Sequence, residues 1–403
     1  MLNKLILVIN CGSSSLKFSV INPIKKKILL SGLAENFYDN SSLIVWNFNK
    51  KKNKIKFNNK ITHKFILNYL VDEILKKYLL LYNNIIGVGH RIVHGGEKFT
   101  NSILITDIVL KAIEKASVFA PLHNPIQVIG IKEIKKILPH LKSKQIAVFD
   151  TAFHQTIPIE SYLYALPIKF YEKYKIRRYG AHGTSHKYVT KKAAKFLNIK
   201  LNNFNCISCH LGNGSSITAI NNGKSVDTSM GLTPLEGLVM GTRCGNIDPA
   251  IIFYMFNELN LSIDKIYNIL TKKSGMLGLT NITSDFRYIE ENYFKNNNIK
   301  IATDVFVHSL TKYIASYSIL MQNKIHAIIF TGGIGENSIL IREKTIKKLK
   351  ILNFFIDKKL NNKIKYGKIG LISTNLSRPI LVIPTNEELM ISQDTFKIIH
   401  NMK

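Results

Sequence analysis

The sequence has little cysteine and no long apolar run, and both features exclude classes of protein. Four cysteines in 403 residues are too few to hold a chain of this length in a disulfide framework. The pattern CISCH at 206–210 matches a haem attachment motif, but its apolar surroundings predict a buried strand, so we expect no haem. A lone CxxC supplies too few ligands for a zinc site, which needs four. No apolar run approaches the roughly 18 residues of a membrane span, and the N-terminal LILVI is too short for a secretory signal. We therefore expect a cytoplasmic protein without a membrane partner.

Negative charge is also scarce. The 56 Lys and Arg residues outnumber the 26 Asp and Glu residues, which gives a formal net charge of +30. A basic surface suggests nucleic-acid binding as one alternative. However, the lysines are spread over the whole chain among asparagines and isoleucines, and aromatic residues do not interleave with them as stacking on bases would require. We expect no nucleic-acid partner, and we expect the charge to attract small anions instead.

Arginine is the scarcest of the basic residues. Only seven positions carry it, and Arg91 and Arg243 both lie in glycine-rich segments. Arginine offers a planar, two-pronged donor that lysine cannot replace. These two arginines are therefore candidates for binding an anion.

The hydrophobic pattern predicts an α/β fold, and the length predicts two domains. Short apolar runs bounded by Gly, Asn or Pro predict strands at 5–10, 16–21, 27–33, 85–89, 146–149, 205–210, 216–220, 326–331 and 380–383. Helical periodicity predicts helices at 64–82, 106–118, 125–137, 185–197, 248–258, 262–272, 300–322, 338–350 and 386–400. Either Thr385 or Asn386 can cap the last helix. Stretches rich in lysine and asparagine, at 47–60, 291–299 and 357–368, are interpreted as solvated loops.

Three glycine turns follow predicted strands. NCGSSSLKFS near residue 10 and HLGNGSS near residue 213 each place glycine and serine between two apolar runs, which indicates a weak internal duplication about 200 residues apart. The third, FTGGIGENS, precedes a helix and offers backbone N–H groups to an anion. The sequence contains no P-loop and no GxSxG, and Ser338 stands where a Rossmann motif needs its third glycine. Together the turns predict a phosphate site of another kind.

Basic side chains cluster in further glycine-rich segments. They include GHRIVHGGEKF at 89–99, RRYGAHGTSH at 177–186 and GLVMGTRCGNIDP at 237–249. A transferred phosphoryl group carries charge on its equatorial oxygens, so its transfer depends mainly on positioning and on cationic donors. The candidate donors are Arg91, His123, His182 and Arg243. Magnesium would also be needed, and Asn10 and Glu387 are candidate ligands, although Glu387 could equally be only a negative charge at a helix N-terminus.

These segments, taken with PLHNP, FDTAFH, SGMLGLTNITSDFR and IPTNEEL, resemble the acetate kinase family over nearly the whole chain and in the family's order. The resemblance implies two duplicated actin-like (ribonuclease H-like) α/β domains with a nucleotide cleft between them. We expect domains at 1–150 and 151–384, with the helix at 385–403 packing back on the first. The resemblance also implies a homodimer.

The resemblance assigns roles residue by residue. Asn10 and Glu387 help to hold Mg²⁺ or Mn²⁺, and Arg91 binds the carboxylate substrate. Asp150 is the active-site aspartate, His182 and Arg243 stabilise the transition state, and His123 is implicated beside them. The pocket for the methyl group consists of Val93, Leu122 and Pro234, and Ala181 stands where some members carry Phe. The ATP or ADP site consists of Lys17, His210, Leu211, Gly212, Asn213, Gly214, Asp285, Phe286, Arg287, Gly333, Ile334, Gly335, Glu336 and Asn337.

The implied reaction is reversible, direct in-line transfer of a phosphoryl group from ATP to acetate, giving acetyl phosphate and ADP. The nearest alternative is a kinase for propionate or another short carboxylate, since one methylene in an apolar pocket is worth only about 1–3 kcal/mol. A rival from another class is an actin- or chaperone-like ATPase, against which Arg91 and the PLHNP loop argue. A carboxylate is already ionised at neutral pH and needs no general base. Asp150 is therefore expected to orient the metal shell or an arginine.

Overall fold

The computed structural model describes residues 4–321 and 324–402, and the chain divides into two compact units. The first unit consists of Met1–Ala152 with Asn386–Lys403, and the second consists of Phe153–Thr385. Each unit has one sheet flanked by helices. Within the described ranges, no helix combines the length and the apolar character that crossing a membrane requires.

The first unit is built on an eight-stranded sheet of order β5-β4-β3-β2-β1-β6-β8-β7. Its strands are β1 (Leu5–Cys11), β2 (Ser15–Asn22), β3 (Lys27–Glu35), β4 (Leu43–Phe48), β5 (Lys51–Lys56), β6 (Ile85–Ile92), β7 (Ile103–Leu104) and β8 (Gln145–Phe149). Its helices are α1 (His63–Tyr69), α2 (Leu79–Tyr82), α3 (Asp107–Lys115), α4 (Asn124–Ile137) and α16 (Glu387–His400). The strands β1, β6 and β8 run parallel and form the centre of the sheet.

The centre of this sheet is covered on both faces, which explains why its strands are continuous apolar runs. The helices α4 and α16 both pack on β1 and β6. A Cβ on Gly89 would collide with Ile391 and Thr395 of α16, so glycine lets this helix approach the sheet closely. Asn386 caps α16 by accepting a hydrogen bond from the Leu389 N–H at 2.9 Å. This cap sets where α16 begins, and Glu387 is its first residue.

The second unit is built on a six-stranded sheet of order β11-β10-β9-β12-β14-β13. Its strands are β9 (Cys206–Leu211), β10 (Ser215–Asn221), β11 (Lys224–Thr228), β12 (Ala327–Thr331), β13 (Gly370–Leu371) and β14 (Ile380–Val382). Its helices are α5 (Ile159–Tyr162), α6 (Lys169–Tyr174), α7 (Gly183–Phe196), α8 (Ala250–Asn257), α9 (Ile263–Asn268), α10 (Gly275–Thr280), α11 (Phe286–Asn292), α12 (Asn297–Ile319), α13 (Gly332–Asn337), α14 (Ile339–Lys347) and α15 (Lys358–Lys363). A core containing Phe306, Leu310, Ile328 and Phe330 packs α12 against the sheet.

The two sheets share one arrangement at their centres. In the first unit the antiparallel hairpin β1–β2 is followed by β6 and β8, both parallel to β1. In the second unit the antiparallel hairpin β9–β10 is followed by β12 and β14, both parallel to β9. The glycine turns near residues 12 and 213 are the turns of these two hairpins. The predicted α/β class and the internal duplication are confirmed.

The interpretation of 47–60 as a solvated loop is wrong, because β4 extends into it and β5 lies within it. The lysines mislead, since β5 is an edge strand, where exposed lysines discourage pairing with another chain. Two other predicted loops contain helix: α15 lies within 357–368, and α11 and α12 enter 291–299. The predicted helix at 64–82 is divided, since a π-helical segment, Leu70–Leu75, separates α1 from α2. Five strands were not predicted, and each has six residues or fewer: β4, β5, β7, β11 and β13.

Candidate functional site

The carboxyl edge of the first sheet gathers polar side chains around Arg91. This residue lies near the end of β6, and Asp150 directly follows the neighbouring parallel strand β8. The Arg91 guanidinium donates two hydrogen bonds to Asp150 Oδ2, from Nε at 3.0 Å and from Nη2 at 2.6 Å. Asn10, near the end of β1, accepts a third from Nη1 at 3.4 Å. Parallel strands thus bring three polar residues to one edge, where open α/β sheets place their chemistry.

Glu387, in the first turn of α16, completes this group with an Oε2 atom 3.7 Å from Arg91 Nε. Burial raises the pKa of Glu387, Arg91 opposes that shift, and Asp150 adds to it. Burial alone would lower the pKa of Arg91, but the carboxylates of Asp150 and Glu387 raise it above its ordinary value. Arg91 is therefore a fixed cation between two carboxylates, and Asp150 orients it.

The oxygens around Arg91 fit a magnesium ion. Mg²⁺ prefers oxygen ligands and is commonly held by one or two carboxylates with several waters and substrate phosphates. Asn10, Asp150 and Glu387 offer amide and carboxylate oxygens of this kind. Within residues 4–321 and 324–402, no group of three or more His, Cys, Asp or Glu side chains is arranged to enclose a metal. An ion here would thus need water or phosphate to complete its coordination.

The turn after β6 is fastened to the start of α4. The Val93 N–H donates to Gln127 Oε1 at 3.0 Å, and Asn124 exchanges two hydrogen bonds with the His94 backbone, at 3.1 and 2.9 Å. Val93 is buried, whereas the side chain of Leu122 is 47% exposed. His123 occupies the position before α4. Four predicted residues of the first unit, Arg91 included, therefore lie on two segments held together by buried amides.

In the second unit, His182 and Arg243 meet over the β9–β10 turn. A Cβ on Gly214 would lie 3.4 Å from Arg243 Nη1 and 3.4 Å from His182 Nε2, so glycine leaves room for both side chains. Arg243 Nη1 also donates to the Pro234 carbonyl at 3.1 Å. Pro234 thus contacts Arg243 through its backbone.

Arg243 is a half-buried cation that forms no ion pair with a carboxylate in the described part of the chain. Burial lowers its pKa. A desolvated guanidinium without a carboxylate partner is costly for the fold, and such groups are typical of functional sites. Its environment therefore favours an anionic ligand.

His182 is held in an unusual backbone conformation at the start of α7. Its φ of +57° lies in the left-handed region, which a residue with a Cβ rarely adopts. The ring stacks on His210 with centroids 4.3 Å apart, and Nδ1 is 2.9 Å from Ser216 Oγ. Backbone strain kept in place by such contacts is common in active sites.

A cavity of about 560 Å³ gathers eight of the predicted nucleotide residues in the second unit. They come from the β9–β10 turn, the start of α11 and the turn after β12, and they are Gly212, Asn213, Asp285, Phe286, Arg287, Gly333, Ile334 and Asn337. The rest of the lining consists of Thr283, Ser284, Glu290, Ser338 and Tyr366, which sequence reasoning missed. Three of these had a sequence signal, since Thr283 and Ser284 lie in SGMLGLTNITSDFR and Ser338 ends FTGGIGENS. The cavity has the hydroxyl and amide donors that a nucleotide requires.

Other predicted nucleotide residues lie outside the lining of this cavity. Leu211 and Gly335 are buried. The Glu336 carboxylate accepts hydrogen bonds from the N–H groups of Gly332 and Thr385, at 3.0 and 3.1 Å. Lys17, in the first unit, forms an ion pair with Glu388 at 2.8 Å. His210 and Gly214 lie with His182 instead.

Comparison with known proteins identifies the chain. The acetokinase family model matches residues 5–393. The curated acetate kinase of Proteus mirabilis (strain HI4320) is 54% identical over 398 residues, which cover 99% of this chain and 100% of that protein. The chain belongs to the acetokinase family.

Solved structures support the family's fold. The crystal structure of a propionate kinase from Francisella tularensis subsp. tularensis SCHU S4 has a TM-score of 0.91 and 45% identity, and the match covers 97% of this chain and 98% of that one. The crystal structure of Porphyromonas gingivalis acetate kinase has a TM-score of 0.90 and 38% identity, covering 98% and 100%. The duplicated actin-like fold is thus confirmed.

One further arginine of this acetokinase-family chain was not predicted. Arg342 is fully buried, and its Nη1 donates to the carbonyls of Gly335 and Glu336, at 3.0 and 2.7 Å. Its Nε donates to Asn361 Oδ1 at 2.7 Å. Burial lowers the pKa of Arg342 to about 10. Arg342 therefore fastens α13, next to the nucleotide-sized cavity, to α15, and its only signal in the sequence is the rarity of arginine.

Proposed function

We propose that this protein is an acetate kinase, which transfers the γ-phosphoryl group of ATP reversibly to acetate. The observation that carries phosphoryl transfer is Arg243, a half-buried guanidinium without a carboxylate partner in the described ranges, set beside His182 over Gly214. The choice of acetate rests on the family and on curated relatives that carry that name. The nucleotide-sized cavity supports ATP as the donor.

In the proposed reaction, a carboxylate oxygen of acetate attacks the γ-phosphorus directly and in line. The new oxygen–phosphorus bond forms as the bond to the ADP oxygen breaks, so acetyl phosphate and ADP result without a covalent enzyme intermediate. Acetate is ionised at neutral pH, and no proton has to be removed from it. Asp150 is therefore not required as a base, and its two hydrogen bonds with Arg91 support an orienting role.

Each basic group has a separate task in this proposal. Arg91 binds the acetate carboxylate, to which a guanidinium can donate in two-pronged geometry. Arg243 and His182 donate to the equatorial oxygens of the phosphoryl group, where charge is spread in the transition state. His123 is proposed to act beside them, and Val93, Leu122 and Pro234 to form the pocket for the methyl group.

Magnesium is proposed as the metal, with Asn10 and Glu387 among its ligands. When bound, it would neutralise phosphate charge. Asp150 belongs to the same group of oxygens, and its Oδ2 accepts two hydrogen bonds from Arg91.

A propionate kinase is the second candidate, because a solved structure with a TM-score of 0.91 carries that name. Ala181, where some family members have Phe, is buried in a small cluster with Met230 and Met240. Alanine fills less volume than phenylalanine, so more space is left around this position. The two substrates differ by one methylene, a difference of about 1–3 kcal/mol in an apolar pocket.

The activity is tested by trapping the product. Purified protein with Mg·ATP and acetate should form acetyl phosphate, which hydroxylamine converts to a coloured hydroxamate. We expect kcat/KM for acetate to exceed that for propionate by about 10-fold or more, as expected for one methylene. Absence of hydroxamate with acetate, propionate and butyrate would contradict the kinase proposal, and a preference for propionate would establish the second candidate. The Arg243→Ala variant, run in parallel, controls for a contaminating kinase.

We also propose that the protein acts in the cytoplasm as a homodimer formed through α8. This helix has the sequence AIIFYMFN, yet none of its residues is buried, and Phe253 and Tyr254 are 66% and 60% exposed. No lysine or arginine occurs from residue 244 to residue 264, although the chain carries a net charge of +30. Two copies of so basic a chain repel each other unless the contact surface lacks cations. An apolar, lysine-free helix meets that condition for a self-complementary interface.

A double change, Phe253→Lys and Tyr254→Lys, is expected to produce monomers. It would place like charges opposite one another across a two-fold interface, since each residue of such an interface faces the same surface patch. Sedimentation should give about twice 45.8 kDa for the wild type and 45.8 kDa for the variant. Phe294→Lys, at a position 89% exposed outside α8, should leave the dimer intact. A monomeric wild type, or dissociation by the Phe294 change alone, would contradict the assignment.

A further inference from the structure

A line of hydrogen bonds runs through the interior of the second unit to His182. Ser208 Oγ, on β9, is 2.9 Å from His186 Nδ1. On the other side of that ring, His186 Nε2 is 2.8 Å from Ser216 Oγ, on β10. Ser216 Oγ is in turn 2.9 Å from His182 Nδ1. We call these four residues the Ser–His line.

His186, in the middle of the line, is neutral. It is fully buried, burial lowers its pKa well below the usual value, and His154 and His210 reinforce that shift. A neutral imidazole has one N–H donor and one acceptor nitrogen. Each of the two serine hydroxyls likewise has one proton to donate. The direction of every bond in the line therefore depends on where these protons find acceptors.

The direction follows from Ser208. Its side chain is fully buried, and His186 Nδ1 is its hydrogen-bond partner in the structure as described for residues 4–321 and 324–402. A buried hydroxyl proton without an acceptor is costly, whereas an unused lone pair costs less. The Ser208 proton must therefore go to His186 Nδ1, which makes His186 the Nε2–H tautomer.

The remaining bonds are then determined. His186 Nε2–H donates to Ser216 Oγ, so the Ser216 proton cannot return to His186. Its other partner is His182 Nδ1, which must accept it. A neutral His182 that accepts at Nδ1 carries its proton on Nε2. That nitrogen is the one beside Gly214, where Arg243 Nη1 also lies.

We infer that Ser208, His186 and Ser216 are positioning residues that hold His182 as the neutral Nε2–H tautomer, with its proton directed to the place where Arg243 meets it over Gly214. This inference deepens the proposed function and rests on it, because the phosphoryl group is what the Nε2–H would meet. With the opposite tautomer, Nε2 would present a lone pair to an anion and repel it. The three buried residues thus decide whether His182 is a donor or an acceptor.

The tautomer can be observed without any activity measurement. Protein labelled with ¹⁵N in its histidines should show, in a two-bond ¹H–¹⁵N correlation spectrum at pH 7.5, His182 and His186 protonated on Nε2. The two signals are assigned by their loss in His182→Gln and His186→Gln. The wild-type spectrum alone is decisive, because a His182 protonated on Nδ1 or on both nitrogens would overturn the inference.

Variants then test the direction in which the hydrogen bonds of the Ser–His line are donated. Ser208→Ala removes the group that sets it, and His182 should become a mixture of both tautomers. Ser225→Ala is the matched control, since Ser225 forms a bond of the same kind and length with His154, outside the line. Ser208→Thr keeps the hydroxyl and should keep the wild-type spectrum. An unchanged His182 signal in Ser208→Ala would overturn the inference.

Kinetics separate this inference from the proposed function. Ser216→Ala should lower kcat by about 10-fold, a fraction of the loss on deleting a transition-state donor, and leave the KM for ATP and acetate within about twofold. Ser216→Thr should recover most of kcat. Equal losses in Ser216→Ala and Ser216→Thr would overturn the positioning role. If the protein formed no acyl phosphate while His182 remained the Nε2–H tautomer, the proposed function would fall and the direction of the Ser–His line would stand.

Discussion

Arg243→Ala should lower kcat by about 1,000-fold while the KM for ATP and acetate changes by less than about threefold. The expected size is that of losing one preorganised cationic donor to a phosphoryl or oxyanion transition state. A loss confined to kcat is expected because such a donor acts where charge develops rather than on the bound substrates. Steady-state kinetics with the hydroxamate assay measure both parameters.

The surroundings of Arg243 explain why this effect should be large. The guanidinium is half-buried, burial lowers its pKa, and its Nη1 contacts the Pro234 carbonyl at 3.1 Å and the Met240 sulfur at 3.8 Å. In such a site, few protein groups offset the cost of removing the cation from water. An anion that binds there is therefore stabilised strongly, because few other charges screen it.

Two further variants test whether the effect is specific to the Arg243 guanidinium. Arg243→Lys retains the charge but loses the planar fork, so we expect it to recover only part of kcat. Arg378→Ala removes an arginine from the loop before β14 and should leave kcat unchanged. If Arg243→Ala raised the KM for acetate with kcat intact, Arg243 would bind the ground state and not the transition state. Equal kcat values for the wild type and Arg243→Ala would remove it from the reaction.

Much of the framework could be predicted from the sequence because its strands are covered on both faces. The apolar runs of β1, β9 and β12 stand out for that reason, and the structure has strands at all nine predicted positions. The strand β5 could not be found in this way, because an edge strand needs little apolar character and its lysines imitate a loop. The π-helical segment that divides 64–82 keeps an apolar face, so periodicity does not detect it.

The site residues that could be predicted are likewise those whose role leaves a local pattern in the sequence. Arg91 and Arg243 could be found because arginine is rare in this chain and glycine surrounds both positions. The roles of Ser208, His186 and Ser216 could not be predicted, since a serine in an apolar strand gives no sign of the helix histidine that packs against it. Arg342 was missed because its partners are carbonyls and one amide, and such partners leave no pattern in the sequence. Long-range hydrogen bonds are thus the part of the site that the sequence does not encode locally.

Arg91→Ala should raise the KM for acetate by about 10- to 100-fold, with a smaller effect on kcat and on the KM for ATP. A hydrogen bond to a charged group is worth about 1.5–3 kcal/mol, which corresponds to this range. Arg91 also separates the carboxylates of Asp150 and Glu387. Without the cation these two acids would repel an incoming carboxylate, which adds to the loss of affinity.

Two further variants distinguish binding from orientation at Arg91. Arg91→Lys keeps a positive charge but cannot donate twice to Asp150 Oδ2, so its KM should lie between those of the wild type and Arg91→Ala. Asp150→Asn keeps the shape of the side chain but weakens its hold on the guanidinium, and we expect it to raise the KM for acetate as well. If Asp150 were instead a general base, Asp150→Asn would lower kcat, and activity would follow the ionisation of a single group in the wild type only. Because acetate has no proton to lose at neutral pH, the pH profiles of the wild type and Asp150→Asn should have the same shape.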